Sequence, residues 1–241
     1  MSIADKTVLV TGANRGIGQA LVNEALARGA KRVYAGTRQP LAHPDGRVTP
    51  LTLDVTNPAQ VKRAVEAAES LDILINNAGV EQADDLGDRA ALDRHLAVNL
   101  FGTYAMTQAF LPKLTRSRGA IVNNVSLAAL APIPLTPAYS ISKAAAFNLT
   151  QSLRVLLAAR GVRVHAVLTG PVDTEMIRSL DIPKAPPESV ARAIFDAVDN
   201  GEEDIFPDPL ARSLADSWHN SAAKILERQN AALVQPQPTT A

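Results

Sequence analysis

The chain has 241 residues, and its 24 Lys+Arg balance its 24 Asp+Glu. A chain with no excess positive charge has no electrostatic footprint for nucleic acid or anionic lipid. It has no cysteine, which excludes disulfides, thiolate catalysis and Cys-ligated zinc. At 46% apolar and 20% charged the composition is globular, and ~150 residues per domain allows one large domain or two small ones. No apolar run approaches the ~18 residues that span a bilayer. Met1 to Lys6 has no basic flank leading into a long apolar core, so a cytoplasmic chain that binds neither nucleic acid nor membrane is expected.

Thr7 to Val10 reads as a buried strand. A Gly-rich turn follows, then an apolar-periodic helix from Ile17 to Arg28 with Gly29 as its stop. Arg32 to Gly36 and Val48 to Leu53 read as the second and third strands. The link from Arg38 to Arg47 holds two prolines and one glycine, so no helix is expected there. Pro58 suits the first turn of a helix reaching about Glu69. Leu71 to Ile75 is a fourth strand, Ala90 to Leu114 one or two helices, and Ala120 to Val125 a fifth strand. Ala138 to Arg160 reads as a long helix, Val162 to Leu168 as a sixth strand, Ser189 to Asn200 as a helix and Asp204 to Phe206 as a short last strand.

Leu210, Leu214, Trp218, Ala222 and Ile225 recur at helical spacing and predict one C-terminal helix laid on the body. The small, polar tail from Gln235 to Ala241 is expected to be frayed. Strands apolar on both faces, alternating with helices, imply a doubly wound α/β fold: a parallel β-sheet of about seven strands with helices on both faces. With no linker, repeat or charge block, residues 1–234 read as a single domain.

Thr11 to Gly18 follows the first strand and opens the first helix, with Gly12, Gly16 and Gly18 spaced G-x-x-x-G-x-G. Glycines let the backbone approach a ligand, and a helix start offers free N–H groups and a positive dipole end to a pyrophosphate. The competing reading is a tight turn that only packs helix on sheet. At the end of the second strand an NAD site places a carboxylate for the ribose 2′-OH. This chain has Thr37 and Arg38 there and no acid. Thr37 can donate a hydrogen bond and Arg38 a charge-assisted one, and Arg15 could reach the same group, which favours NADP(H). Otherwise both arginines are ordinary surface charges.

Tyr139 and Lys143 stand four apart on one helix face. A neighbouring ammonium favours the phenolate, lowering the tyrosine pKa toward one useful for proton exchange with an alcohol oxygen. Ser126, thirteen residues earlier, ends the fifth strand at the carboxyl edge where open α/β sheets bind ligands. Its hydroxyl can bond a carbonyl oxygen as charge develops.

With Thr11 to Gly18, Asp54-Val55, Asn76 to Gly79, Asn99, Ser126, Tyr139 to Lys143 and Gly170 to Thr174, the chain resembles the short-chain dehydrogenase/reductase family from about Lys6 to Phe206. The resemblance implies a Rossmann-type domain and a catalytic set of Asn99, Ser126, Tyr139 and Lys143. Tyr139 is then the general acid and Ser126 polarises the carbonyl. Lys143 lowers the tyrosine pKa and bonds the nicotinamide ribose, and Asn99 holds a relay water. It further implies cofactor contacts from Gly12, Asn14, Arg15, Gly16, Ile17 and Gly18, with Asp54 and Val55 at the adenine. Asn76, Ala78 and Gly79 would line the ribose, and Gly170, Pro171, Val172 and Thr174 the nicotinamide end. Thr37, Arg38 and Arg15 resemble the NADP-preferring members. Four departures stand out: Thr169-Gly170-Pro171 for the usual Pro-Gly, His165 for a common Asn, Val125 for a common Ser, and a short or missing helix after the second strand.

His43, His95, His165 and His219 lack metal-ligand spacing, so no metal is expected. Trp218, Phe206 and Phe195 read as packing residues. Glu175 to Pro187 reads as a lid over an apolar substrate or a plain surface loop, and Leu127 to Leu135 as a pocket wall. The leading expectation is an NADPH-dependent carbonyl reductase. The others are a dehydrogenase for a hydroxylated lipid or steroid-like alcohol, and a non-catalytic NADP(H) sensor. A homodimer or homotetramer built on the long helices is implied by the resemblance.

Overall fold

Val8, Leu9 and Val10 of β1 (Thr7–Thr11) have no solvent exposure, and Ile73, Leu74 and Ile75 of β4 (Ile73–Asn76) have almost none. Strands this apolar need cover on both faces, and the computed structural model, which describes residues 2–233, provides it. The remaining strands are β2 (Arg32–Thr37), β3 (Val48–Thr52), β5 (Ala120–Asn124), β6 (Arg163–Val167) and β7 (Asp204–Ile205). All pair in parallel, in the order β3-β2-β1-β4-β5-β6-β7. Chain direction across the sheet reverses between β1 and β4, which makes their carboxyl ends the crevice of the fold.

Helix α1 (Gly16–Ala27) and α6 (Pro187–Asn200) share one core with Val8, Val10, Ile73 and Ile75. On the opposite face α2 (Pro58–Ala67), α4 (Thr103–Ser117) and α5 (Pro137–Ala158) pack around Leu9, Leu74, Met106, Phe110 and Leu153. The single doubly wound domain is as expected, and residues 38–47 are non-helical. No helix of the described residues is long and apolar enough to cross a membrane.

One expectation is sharpened and one changes. The stretch 89–117 is one continuous rod: α3 (Arg89–His95), a π-helical segment Leu96–Gly102, then α4. The C-terminal helix is two helices, α7 (Pro209–His219) and α8 (Ala222–Ala231). Leu210, Leu214 and Ile225 of the predicted stripe are exposed, whereas Ala211 and Lys224 are buried. Polar anchors outweigh the apolar pattern here. The Ser221 hydroxyl accepts the Lys224 N–H and starts α8. Lys224 Nζ lies 2.7 Å from Asp204, 2.9 Å from Glu227 and 3.0 Å from Glu203. Asp204, wholly buried, also receives Arg154 at 2.7 Å and the Trp218 indole N–H at 2.8 Å. The tail expected from Gln235 lies outside the described residues.

His165, on β6, is another buried polar group. Its Nδ1 lies 2.6 Å from the Glu202 carbonyl, so Nδ1 carries the proton, and Nε2 has no partner among the described residues. Burial, opposed by that bond and aided by the charges of Arg163 and Arg154, pushes its pKa down to about 4.

Lys224→Met leaves Asp204 buried with one cation fewer and lowers unfolding free energy by about 3 kcal/mol in denaturant titrations. Leu210→Ala costs less than about 1 kcal/mol in the same assay. Because the His165 pKa is depressed in the folded chain, its contribution is fully present above about pH 6.5 and fades toward pH 4, for a loss of about 3 kcal/mol. Melting temperatures across this window fall less steeply in His165→Asn.

Candidate active site at the sheet crevice

The turn from β1 into α1 is shaped by close approach. Gly12 (φ +66°) and Gly16 (φ +51°) adopt left-handed backbone, and a Cβ on Gly18 would sit 2.0 Å from the Gly12 carbonyl oxygen. Arg15 is the N-cap of α1, but no side chain caps this helix and its first turn holds no acid. The opening N–H groups, from Gly16 through Ile17 and Gly18, therefore lack intrahelical acceptors. They meet the positive end of the dipole, with the exposed side chain of Asn14 beside them. Among the other helices, α2, α3 and α7 carry side-chain caps at this point, from Asn57, Asp88 and Asp208, whereas α6 also starts without one. The bare start of α1 fits a pyrophosphate.

Across the crevice the strand ends are tied by amides. The Thr11 hydroxyl accepts the N–H groups of Asn77 and Ala78 at 3.0 and 2.9 Å. Asn77 Nδ2 donates to the carbonyls of Thr11 and Gly12. Asn124 Nδ2 donates to Asn77 Oδ1 at 3.0 Å, and Thr169 Oγ1 donates to Asn124 Oδ1 at 3.2 Å. Asn76, expected at the ribose, turns inward instead and donates to Asn123 Oδ1 and Thr107 Oγ1. A strand alternates its faces, so Asn77 is the amide that reaches the glycine turn.

Tyr139, Lys143, Ser126 and Asn99 converge behind this crest. Lys143 Nζ donates to the Asn124 carbonyl at 2.8 Å and lies 5.6 Å from the Tyr139 ring centroid. A Cβ on Gly79 would stand 3.3 Å from Asn99 Oδ1 and 3.6 Å from Lys143 Nζ. Asn99, central in the π-helical segment, is locked to Val80 by two hydrogen bonds, Oδ1 accepting at 2.9 Å and Nδ2 donating at 3.0 Å. The π register re-aims backbone groups at this point in the rod. Ser126 holds φ at +108°, a costly backbone for a non-glycine residue. Its hydroxyl accepts the Ala128 N–H and contacts the Tyr139 phenol.

The electrostatics differ from the sequence expectation. Burial raises the Tyr139 pKa; the Ser126 bond opposes this and the Glu81 charge adds to it. Lys143 directs one of its N–H groups to the Asn124 carbonyl, and burial, countered by Glu81, lowers its pKa to about 8. The phenol thus holds its proton at neutral pH.

At the end of β2, Thr37 is buried and its hydroxyl donates to the Gln39 carbonyl at 2.5 Å, so it is turned away from a 2′-phosphate. Arg38 is exposed and its charge acts on Asp54. Val55 is buried against Gly102. Arg15 pairs with Glu175 across the mouth instead of turning toward Arg38. Above the turn, the Gly170 N–H donates to Asp208 at 2.7 Å and Thr174 abuts Gly16. A short parallel bridge joins Val172, just after Pro171, to Ala185, closing the base of the loop between them.

Three acids and a histidine at this site were missed in the sequence. Asp84 accepts the Ala138 N–H at 3.2 Å and so caps α5, the helix carrying Tyr139. Glu81 accepts the Thr136 hydroxyl at 3.3 Å. Asp208 takes the N–H groups of Gly170 and Ala211, and the Asp-Pro pair opening α7 was its available signal. His95, wholly buried, accepts the Gln82 N–H on Nε2 and donates from Nδ1 to Ala91, its ring set edge-on to Tyr139 at 6.4 Å.

Comparison with known proteins agrees with this geometry. The family model described as short chain dehydrogenase matches residues 6–184. The chain is 36% identical over 208 residues to 2-(S)-hydroxypropyl-CoM dehydrogenase 3 of Xanthobacter autotrophicus, covering 80% of this chain and 82% of that one. It is 34% identical to oxidoreductase UcpA of Escherichia coli, covering 81% of each. Among solved structures, a short chain dehydrogenase of Burkholderia cenocepacia in complex with NADP superposes with a TM-score of 0.87 at 37% identity, covering 95% of this chain and 98% of that one. With its family match, its relatives and its crevice in accord, the chain belongs to the short-chain dehydrogenase family of oxidoreductases.

Proposed function

We propose that this protein is an NADPH-dependent carbonyl reductase that interconverts a ketone or aldehyde and its alcohol. The observation that carries the reading is the meeting of Ser126, Tyr139 and Lys143 beside the uncapped start of α1. When bound, the nicotinamide supplies the hydride. Ser126 holds the substrate oxygen, and Tyr139, whose phenol stays protonated at neutral pH, donates its proton to that oxygen as negative charge builds. Lys143 would reach the nicotinamide ribose and pass a proton back to Tyr139 from solvent, through a water held at Asn99. The glycine turn takes the pyrophosphate and Asp54 and Val55 flank the adenine. Arg38 takes the 2′-phosphate, because it is exposed and no acid competes at the end of β2. The Burkholderia relative binds NADP, which supports the same preference here.

The chain works as a homo-oligomer in the cytoplasm on this reading. Phe101 on the π-helical segment and Tyr104 on α4, with Ile141 and Leu156 on α5, expose apolar surface suited to a second copy.

Tyr139→Phe reduces kcat for ketone reduction by about a thousandfold. NADPH affinity, read by fluorescence titration, stays within about threefold because the lost hydroxyl serves chemistry rather than cofactor binding. Arg38→Asp weakens NADPH by about tenfold or more, the loss of one charge-assisted contact. NADH binding measured alongside changes far less, and equal losses would remove Arg38 from the 2′-phosphate.

A further inference from the structure

We propose that Glu81 determines substrate specificity: its carboxyl accepts a hydrogen bond from a hydroxyl or ammonium group carried next to the substrate carbonyl, and it repels substrates with a carboxylate there. This deepens the carbonyl-reductase reading and rests on it.

Glu81 lies two residues beyond Gly79, whose α-carbon faces Lys143 Nζ and Asn99 Oδ1. Its backbone is fixed on both sides. Val80 is clamped by both ends of the Asn99 amide, and the Gln82 N–H is held by His95. The side chain crosses to Thr136, the N-cap of α5 three residues ahead of Tyr139. From there its charge acts on Tyr139 and on Lys143.

The carboxyl is half-buried, takes one neutral donor at 3.3 Å and forms no ion pair among the described residues. A carboxylate has about four acceptor sites, so most of its capacity is unspent. Burial raises its pKa, the cost of holding a carboxyl in a partly dry place. Leu127, Leu130 and Ile133 on one neighbouring segment and Met176 and Leu180 on another are apolar, the second also carrying Glu175, Arg178 and Asp181. In a ligand cleft a few placed polar groups fix orientation and select for their complement. His95 has both ring nitrogens engaged with backbone groups, and Lys143 donates to the Asn124 carbonyl. Neither hydrogen-bonds Glu81, so its open acceptor sites are left to a donor on the substrate.

A matched set tests this: butan-2-one, 1-hydroxybutan-2-one and 2-oxobutanoate, each with NADPH. The wild type shows kcat/KM for the hydroxyketone about tenfold above that for the plain ketone, the worth of one hydrogen bond to a charged group. Glu81→Leu brings that ratio close to one. Glu81→Gln keeps the acceptor for Thr136 but loses the charge, and it raises kcat/KM for 2-oxobutanoate by about tenfold. Thermal-shift titration of the wild type gives the same order for two alcohols, with butane-1,2-diol binding more tightly than butan-2-ol. A wild-type ratio near one, or a ratio that survives in Glu81→Leu, overturns the inference and leaves Glu81 as a brace for Thr136. Reduction of none of the three overturns the carbonyl-reductase reading as well, so the two failures are distinct.

Discussion

Asn124 joins more of the crevice than any other single residue described above. Its carbonyl takes the Lys143 ammonium, its amide N–H reaches Asn77, and its amide oxygen takes Thr169. Asn77 in turn holds the carbonyls of Thr11 and Gly12. The ends of β1, β4, β5 and β6 are thereby fastened to one another and to α5 without a charged partner for Lys143. Amides suit this task because each both donates and accepts, so a chain of them leaves few groups unsatisfied in a partly buried cleft. Position is thus set before any ligand arrives, as preorganised stabilisation requires.

Burial then sets the chemistry of the groups so held. It drives the Tyr139 phenol toward its neutral form and weakens the Lys143 ammonium, the direction desolvation imposes on each. A phenol in this state keeps its proton at neutral pH and yields it only to a strong base such as a developing alkoxide. Glu81 adds negative charge nearby, which favours the neutral phenol and the charged lysine together.

Much of this was legible in the sequence because it is local. Apolar runs such as Thr7 to Val10 and Leu71 to Ile75 named the strands, and the spacing of Tyr139 and Lys143 named a shared helix face. Other features depend on contacts far apart in the chain. Glu81 and Asp84 look like solvated loop acids until α5, more than fifty residues on, is brought against them. The π register through Asn99 has no hydrophobic period of its own, so Ala90 to Leu114 could only be read as one or two helices. Thr37 and Asn76 were assigned to the ligand by position along a strand, and backbone and side-chain partners turn both inward. The C-terminal stripe failed for a different reason. Counting apolar residues gave no weight to a lysine, yet Lys224 among three carboxylates is what holds α8 down.

Asp208 has a mechanical meaning beyond its role as a cap. One oxygen receives the first turn of α7 and the other receives Gly170, and a Cβ on that glycine would lie 2.6 Å from the carboxylate. Such clearance leaves no slack. Asp208 thus gives the first turn of α7 and the loop that follows β6 a single shared anchor, so the C-terminal helices are tied to the crevice and not only laid on the core.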